Sequence, residues 1–191
     1  MKRRAVVLFL LSMVLAGCAS TSDRVDPADE SLSLVFGYFD MKNAPSGVDW
    51  VSLKKYDSKD PKAGWYHLAA REGLFFHVGI EPGAYQVDRF GGMGGIPLLT
   101  RREFEYAYGG KGRNATAVRI QKPGVYFLGA HQFINHAGKG FFEADKFDME
   151  RAKAPSEKEL LQRLVKELET DKQYAGYSRQ LRLAKQRLSQ L

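Results

Sequence analysis

The chain contains a single cysteine, Cys18, whose thiol is the strongest nucleophile that the sequence offers. It follows a basic tip at residues 2–4, an apolar run over residues 5–16 and a glycine. A charged region, an apolar region and small residues in this order are typical of a secretory signal. The run is also shorter than the roughly 20 apolar residues that span a bilayer. The pattern therefore predicts an exported protein, with residues 1–17 as its signal peptide.

The tetrad Leu15-Ala16-Gly17-Cys18 resembles the lipobox of bacterial lipoproteins. The resemblance implies cleavage before Cys18, a diacylglycerol on its thiol and an N-acyl chain on its new amino group. Stable anchoring takes more than one acyl chain, which such a terminus provides. Because Ala19 rather than Asp follows the cysteine, the resemblance implies an outer-membrane anchor on the periplasmic face, with surface exposure left open. The alternative is an ordinary signal peptide with an unrelated cysteine.

Loss of the signal changes the charge and the chemistry of the working protein. The full chain has a net charge of +7, and removal of the three basic residues at positions 2–4 leaves +4 (7 − 3). This small excess, together with export, argues against a nucleic-acid partner. An acylated Cys18 leaves no thiol for a disulfide, a nucleophile or a zinc site. No cofactor is expected beyond the covalent lipid.

The other residues that could do chemistry form no known catalytic or metal-binding motif. The histidines are His67, His77, His131 and His136. The spacing of the last two suits neither one helix face nor one strand face. The Gly-x-Ser-x-Gly motif of serine hydrolases is absent from the sequence. Asp40 and Asp49 flank a loop and could meet as paired carboxylates, although turn capping explains them equally well. The sequence predicts neither a catalytic residue nor a metal site.

Two further groups of residues are candidates for ligand binding. The glycine-rich segment 91–95 lacks the Lys-Ser/Thr that follows the glycines of a phosphate-binding loop, and it is predicted to be a mobile loop. A gating role for this loop is the alternative. The aromatic residues of the strand segments are predicted to fill the core. The alternative is that an exposed subset of them forms a sugar or peptide platform. The whole set is Trp50, Trp65, Tyr66, Phe75, Phe76, Tyr85 and Phe90.

The segments that must position these residues are mainly short strands. Residues 18–31 are rich in small and polar residues and predict a flexible tether. Residues 32–150 show about seven apolar or alternating segments with turn residues between them, which predicts an antiparallel β-sandwich. Pro-Gly steps at 82–83 and 123–124 predict type II turns that carry the chain from one sheet to the other.

Residues 155–191 predict a pair of helices. Ser156 and Glu159 have the spacing of a capping box, and leucines follow at helical intervals. The second helix, after Gln173, carries the cations Arg179, Arg182, Lys185 and Arg187. These cations are expected to be solvated on a helix that packs against the domain. The alternative is that they bind anionic lipid headgroups or an acidic envelope protein.

The body of the chain also resembles a known group of proteins. The order of the segments 35–41, 49–51, 73–77, 82–86 and 123–129 resembles a family of uncharacterised proteobacterial lipoproteins. Its Pro-Gly-x-Tyr strands are similar to transthyretin-like and carboxypeptidase regulatory-like sandwiches. The expected function is a non-enzymatic structural or binding module of the cell envelope. The alternatives are an envelope glycan or peptide hydrolase or its accessory, and a periplasmic carrier of a small apolar ligand.

Overall fold

The computed structural model describes residues 25–57, 64–95, 100–108, 114–136 and 146–191. The predicted signal peptide, Cys18 and residues 19–24 lie outside the described residues. The strands are β1 (Ser33–Asp40), β2 (Trp50–Lys55), β3 (Trp65–Arg71), β4 (Leu74–Ile80), β5 (Gly83–Gly94), β6 (Arg102–Ala107), β7 (Val118–Ile120), β8 (Val125–His136) and β9 (Lys146–Arg151). Two α-helices follow, α1 (Glu157–Thr170) and α2 (Ser178–Leu188).

The strands form one curled sheet in the order β6-β5-β2-β3-β4-β1-β8-β9, with β7 paired to β5. The predicted mainly-β fold with a C-terminal helical pair is confirmed. The sheet is mixed rather than wholly antiparallel, because β1 and β8 run parallel. Parallel neighbours need a long connection, and here the other strands of the sheet supply it. Local patterns in the sequence carry no information about such a distant pairing.

The curl divides the sheet into two halves that face each other across an apolar interior. The first half contains β1, β4, β8 and β9, and the second contains β2, β5, β6 and β7. Strand β3 joins them, since it pairs with β2 along most of its length and with β4 only at its last two residues. Aromatic rings fill the interior: the Phe90 ring centroid lies 4.7 Å from that of Phe39 and 5.1 Å from that of Tyr106.

The two Pro-Gly steps carry the chain between the halves, as the sequence predicts. The step at 82–83 leads from β4 to β5, and the step at 123–124 leads from β7 to β8. The predicted type II geometry is wrong at both. Gly124 does not have the positive φ that the turn requires, and the φ of 156° at Gly83 is nearly extended. The chain therefore passes between the two halves without a type II turn at either step.

The glycine-rich segment is a strand, not the mobile loop that the sequence predicts. Gly91, Gly92 and Gly94 extend β5 and pair with β6. Glycine is required there by close approach of other backbone. A Cβ on Gly92 would overlap the carbonyl oxygen of Gly47, and one on Gly94 would lie 2.5 Å from that of Pro45. Glycine in a strand often marks such an approach.

The helices cover the outer face of the first half of the sheet. The predicted capping box is present: Glu159 N donates to Ser156 Oγ, and Ser156 N donates to the Glu159 carboxylate. The apolar side of α1 packs on β1, β4 and β8. Strand β1 is consequently buried on both faces, with Phe39 turned to the interior and Phe36 turned to the helices. A run of apolar residues without alternation is typical of such a strand.

Candidate binding face

The four cations predicted as a binding surface lie on α2, but two of them are held in ion pairs with α1. Lys185 Nζ lies 2.6 Å from the Glu169 carboxylate, and Arg187 Nη2 lies 2.9 Å from that of Glu157. These pairs are partly exposed, so each contributes about 0–1 kcal/mol. They neutralise half of the positive charge that the sequence places on this helix.

The other two cations of α2 differ in their surroundings. Arg179 donates from Nη1 to the carbonyl oxygen of Leu32 at 3.0 Å, which ties the helix to the segment before β1. Arg182 is exposed and makes no hydrogen bond or ion pair with another described residue. The four side chains therefore do not converge on one anion site, and their role in binding lipid or an acidic partner stays a prediction.

Residues 25–32, which we call the strap, lie against the helical side of the domain. The hydroxyl of Tyr177 donates to the carbonyl oxygen of Val25 at 3.0 Å. The side chain of Val25 occupies the space beside Gly79, and Pro27 lies beside Gly176. The described chain thus begins next to the start of α2. The flexible tether predicted for residues 18–31 stays a prediction, and its part before Val25 lies outside the described residues.

The outer face of the second half of the sheet carries both tryptophans of the chain. Val51 and Leu53 of β2 point into the interior, so Trp50 and Lys54 point outward. In β3, Trp65 lies opposite Lys54 and therefore shares this face. The outward position of Trp50 follows from the same alternation that predicts Val51 and Leu53 to be buried. We call this surface the tryptophan face and define it by Trp50, Lys54, Trp65, Arg89 and Met93.

Trp65 lies at the centre of a group of charged side chains. Lys54 Nζ is 4.9 Å from the ring centroid, and the Arg89 guanidinium carbon is 5.6 Å from it. Attraction between a cation and the negative face of an indole ring stabilises this arrangement. Arg89 also donates to Asp88 at 3.2 Å and to Glu105 at 3.1 Å. Carboxylates thereby fix the guanidinium beside the ring.

Trp50 is positioned by the glycine-rich part of β5. Its ring lies over Gly91, where a Cβ would come within 2.7 Å of the indole. The indole N–H donates to the Glu103 carboxylate at 3.3 Å. Trp50 is partly exposed, and Met93, two residues along β5 from Gly91, is 38% exposed. The glycine thus lets a flat aromatic ring lie close to the sheet surface.

The remaining predicted aromatic residues lie inside the fold. Phe75 and Phe90 are fully buried in the interior, and Phe76 packs beneath the helices. Tyr85 is fully buried, and burial raises the pKa of its hydroxyl well above the ordinary value. Tyr66 is partly buried against the interior. The core prediction holds for these residues and not for Trp50 and Trp65.

A shallow pocket of about 350 Å³ lies beside Asp49 and is lined also by Tyr38, Lys42 and Glu72. The Asp49 carboxylate accepts a hydrogen bond from Met93 N at 2.7 Å. Asp40 accepts one from the backbone N–H two residues ahead at 3.0 Å, which is a turn cap. Each carboxylate therefore has a local structural partner. Within the described ranges, no three His, Cys, Asp or Glu residues are grouped as a metal site would require.

His131 lies in the interior, where it is 2% exposed. Its Nε2 lies 3.2 Å from the carbonyl oxygen of Leu128, so the proton belongs on this nitrogen. Burial lowers the pKa of His131, the hydrogen bond to Leu128 opposes this effect, and the charge of Arg151 adds to it. The folded state thus holds a neutral imidazole. His136 is in β8, and His67 is exposed on β3.

We expect the neutral state of His131 to make the protein less stable in acid. Its folded pKa lies below the unfolded value of about 6.5, so the unfolded chain takes up the proton first. The contribution of neutral His131 to the free energy of unfolding is complete above the unfolded pKa of about 6.5, and it is lost as the pH falls from there through the folded pKa. Urea unfolding at several pH values between 7.5 and 5 measures it. His131→Phe should reduce the pH dependence, whereas the surface control His67→Phe should keep it; equal dependence in both would contradict the assignment.

Comparison with protein-family models, with curated protein sequences and with solved structures finds no match for this chain. The family resemblance of the body therefore stays a prediction. Among the described residues, no helix combines the length and apolar composition needed to cross a membrane.

Proposed function

We propose that the protein is a lipid-anchored, non-enzymatic binding module of the bacterial outer membrane that faces the periplasm. The signal and the Leu-Ala-Gly-Cys tetrad support the anchor, with Cys18 as the lipidated residue. The binding role is supported mainly by the positions of two surfaces, which lie on opposite sides of the domain. The strap begins on the helical side of the domain, and the tryptophan face lies on the other side of the sheet interior.

The length of the tether supports this orientation. Seven residue steps separate Cys18 from Val25 (25 − 18). Fully extended, they span at most about 25 Å. A lipid on Cys18 would keep the helical side near the membrane, and the tryptophan face would then point away from it. A partner in the periplasmic space could reach this face without competition from the bilayer.

The alternative of an apolar-ligand carrier has less support. Such a carrier needs a hollow interior, whereas the ring of Phe90 packs against those of Phe39 and Tyr106 in the interior that the structure describes. A deep interior is usually packed at the density of an organic crystal. We therefore place the binding surface on the outside of the fold.

Lipidation is tested by Cys18→Ala in cells supplied with radiolabelled palmitate. We expect the wild-type protein to be labelled and to fractionate with the outer membrane, and the variant to lose the label, because cysteine supplies the acylated sulfur. Ser20→Ala, two residues away, is the matched control and should be labelled normally. Persistent label in Cys18→Ala, or an unlabelled wild type, would contradict the proposed anchor.

A further inference from the structure

We propose that the strap and α2 together form a latch, which opens as one unit while the sheet and α1 stay folded. Only two residues of α2 are buried, Gln180 and Ala184, whereas α1 buries five apolar residues. Segments with few buried apolar contacts open at a lower free energy than the rest of a domain. The two helices therefore differ in how firmly they are docked.

Gln180 weakens the docking of α2. It is 0% exposed, and neither its amide nitrogen nor its amide oxygen has a hydrogen-bond partner among the described residues. Ala184, four residues on and on the same face of the helix, packs in the apolar cluster that contains Leu34 and Phe36. An amide buried without partners loses its hydrogen bonds to water and forms none in the protein. Opening returns the amide to water, so Gln180 favours the open state.

The start of α2 lacks the features that stabilise the start of α1. Tyr177, at the N-cap, makes no side-chain cap hydrogen bond, and the first turn contains no acidic residue. Helix α1 has a capping box and two acidic residues in the same positions. The ion pairs of Lys185 and Arg187 with α1 are partly exposed and stabilise little. Helix α2 has 11 residues, a length that is marginal in isolation, so it depends on other contacts.

The strap supplies such contacts. The Tyr177 hydroxyl donates to the carbonyl oxygen of Val25 at 3.0 Å. Arg179 Nη1 donates to the carbonyl oxygen of Leu32, also at 3.0 Å. In the described part of the chain these two hydrogen bonds are the ones that join the strap to the rest of the domain, and residues 26–31 between them are exposed. Since the strap and α2 each hold the other, release of one loosens the other.

Opening of the latch lengthens the tether. Seven residue steps join Val25 to Leu32 (32 − 25), as many as join Cys18 to Val25 (25 − 18). Fully extended, the released steps add at most about 25 Å and so double the reach of the anchor. This consequence rests on the proposed function, because it requires a lipid on Cys18, whereas the latch itself does not. The closed latch keeps the helical side near the membrane, and the open latch lets the domain stand farther away.

Hydrogen–deuterium exchange of the full-length protein in detergent, read by mass spectrometry, tests the latch. We expect the amides of α2 to be protected at least about tenfold less than those of α1. Gln180→Leu should raise the protection of α2 by about fivefold or more, because leucine is buried without an unpaired amide. Gln186→Leu is the matched control, since Gln186 is exposed on the same helix. Its protection should stay within about twofold of wild type.

Gly79→Ala tests whether the strap holds α2. A Cβ on Gly79 would overlap the side chain of Val25, so alanine displaces the strap by a change on β4. We expect the protection of α2 to fall by about fivefold or more and that of α1 to stay unchanged. Tyr177→Phe removes the hydroxyl that binds the strap and should act in the same direction. It replaces Gly79→Ala if circular dichroism shows that the alanine variant does not fold.

Equal protection of α1 and α2 in the wild type would overturn the inference. Equal effects of Gln180→Leu and Gln186→Leu would overturn it as well, and so would unchanged protection of α2 when the strap is displaced. A loss of protection confined to α2 supports it. None of these measurements depends on acylation of Cys18, so failure of the latch is distinct from failure of the anchor.

Discussion

Replacing Leu164 with alanine is expected to lower the free energy of unfolding by about 2–5 kcal/mol. Leu164 is 0% exposed and lies in the apolar cluster between α1 and the outer face of β1. Its neighbours there include Leu34 and Phe36 of β1. Truncation removes favourable burial and leaves a cavity that surrounding side chains fill only in part. Urea denaturation followed by far-ultraviolet circular dichroism measures the change.

Gln162→Ala is the matched control, because Gln162 lies in the same helix and is exposed. Alanine favours a helix at least as well as glutamine, so this variant should stay within about 0.5 kcal/mol of wild type. The comparison asks whether the helical pair is an integral layer of the domain. Equal stability of the two variants would instead mean that α1 is an appendage of the sheet.

The second large effect is expected at Gly92, where alanine should destabilise the protein by about 1–3 kcal/mol. Alanine normally has the advantage over glycine in a strand, since glycine loses more backbone entropy on folding. Here a Cβ would overlap the carbonyl oxygen of Gly47 and lie 3.0 Å from Asp49 N. Both contacts are with backbone, so no side chain can rotate away. Thermal and urea unfolding measure the loss.

Gly47→Ala provides the control for this prediction. Gly47 lies on the other side of the same contact and is exposed, and a methyl group added to its Cα would meet no other atom within 4 Å. Alanine there should be neutral or stabilise by up to about 1 kcal/mol, through the unfolded chain. If Gly92→Ala is as stable as Gly47→Ala, the backbone approach at this point of β5 is incorrect.

Much of the fold is readable from local pattern. Alternation in β2 predicts that Val51 and Leu53 are buried, and the structure places both in the interior. The spacing of Ser156 and Glu159 predicts the start of α1, because a capping box needs only residues close in sequence. The Pro-Gly steps predict where the chain passes between the two halves of the sheet. These features depend on short-range chemistry.

Other features depend on contacts between distant segments. The glycines of β5 have the composition of a loop, and only the approach of the segment around Gly47 explains why they are in a strand. Strand β9 has one alternating pair, Phe147 and Met149, which is too short a pattern to predict a strand. The pairing of β1 with β8 joins segments about 90 residues apart. No local pattern encodes it.

The tryptophan face lies between these cases. The alternation of β2 already places Trp50 on the side opposite Val51, so its outward direction is predictable. The position of Trp65 requires the register between β2 and β3, which pairs it with Lys54. The stacking of Arg89 requires β5 as well. Residue types alone therefore predict aromatic residues and charges but not their convergence on one surface.

In-cell photocrosslinking tests the central claim, that the lipid anchor and the tryptophan face lie on opposite sides of the domain. A photoreactive residue replaces His67, which is exposed on β3 between the tryptophans, or Arg182 on α2. After irradiation, each protein is purified under denaturing conditions and assayed for covalently attached phospholipid. We expect attachment of phospholipid at position 182 and none at position 67. Attachment at position 67 alone would contradict the claim.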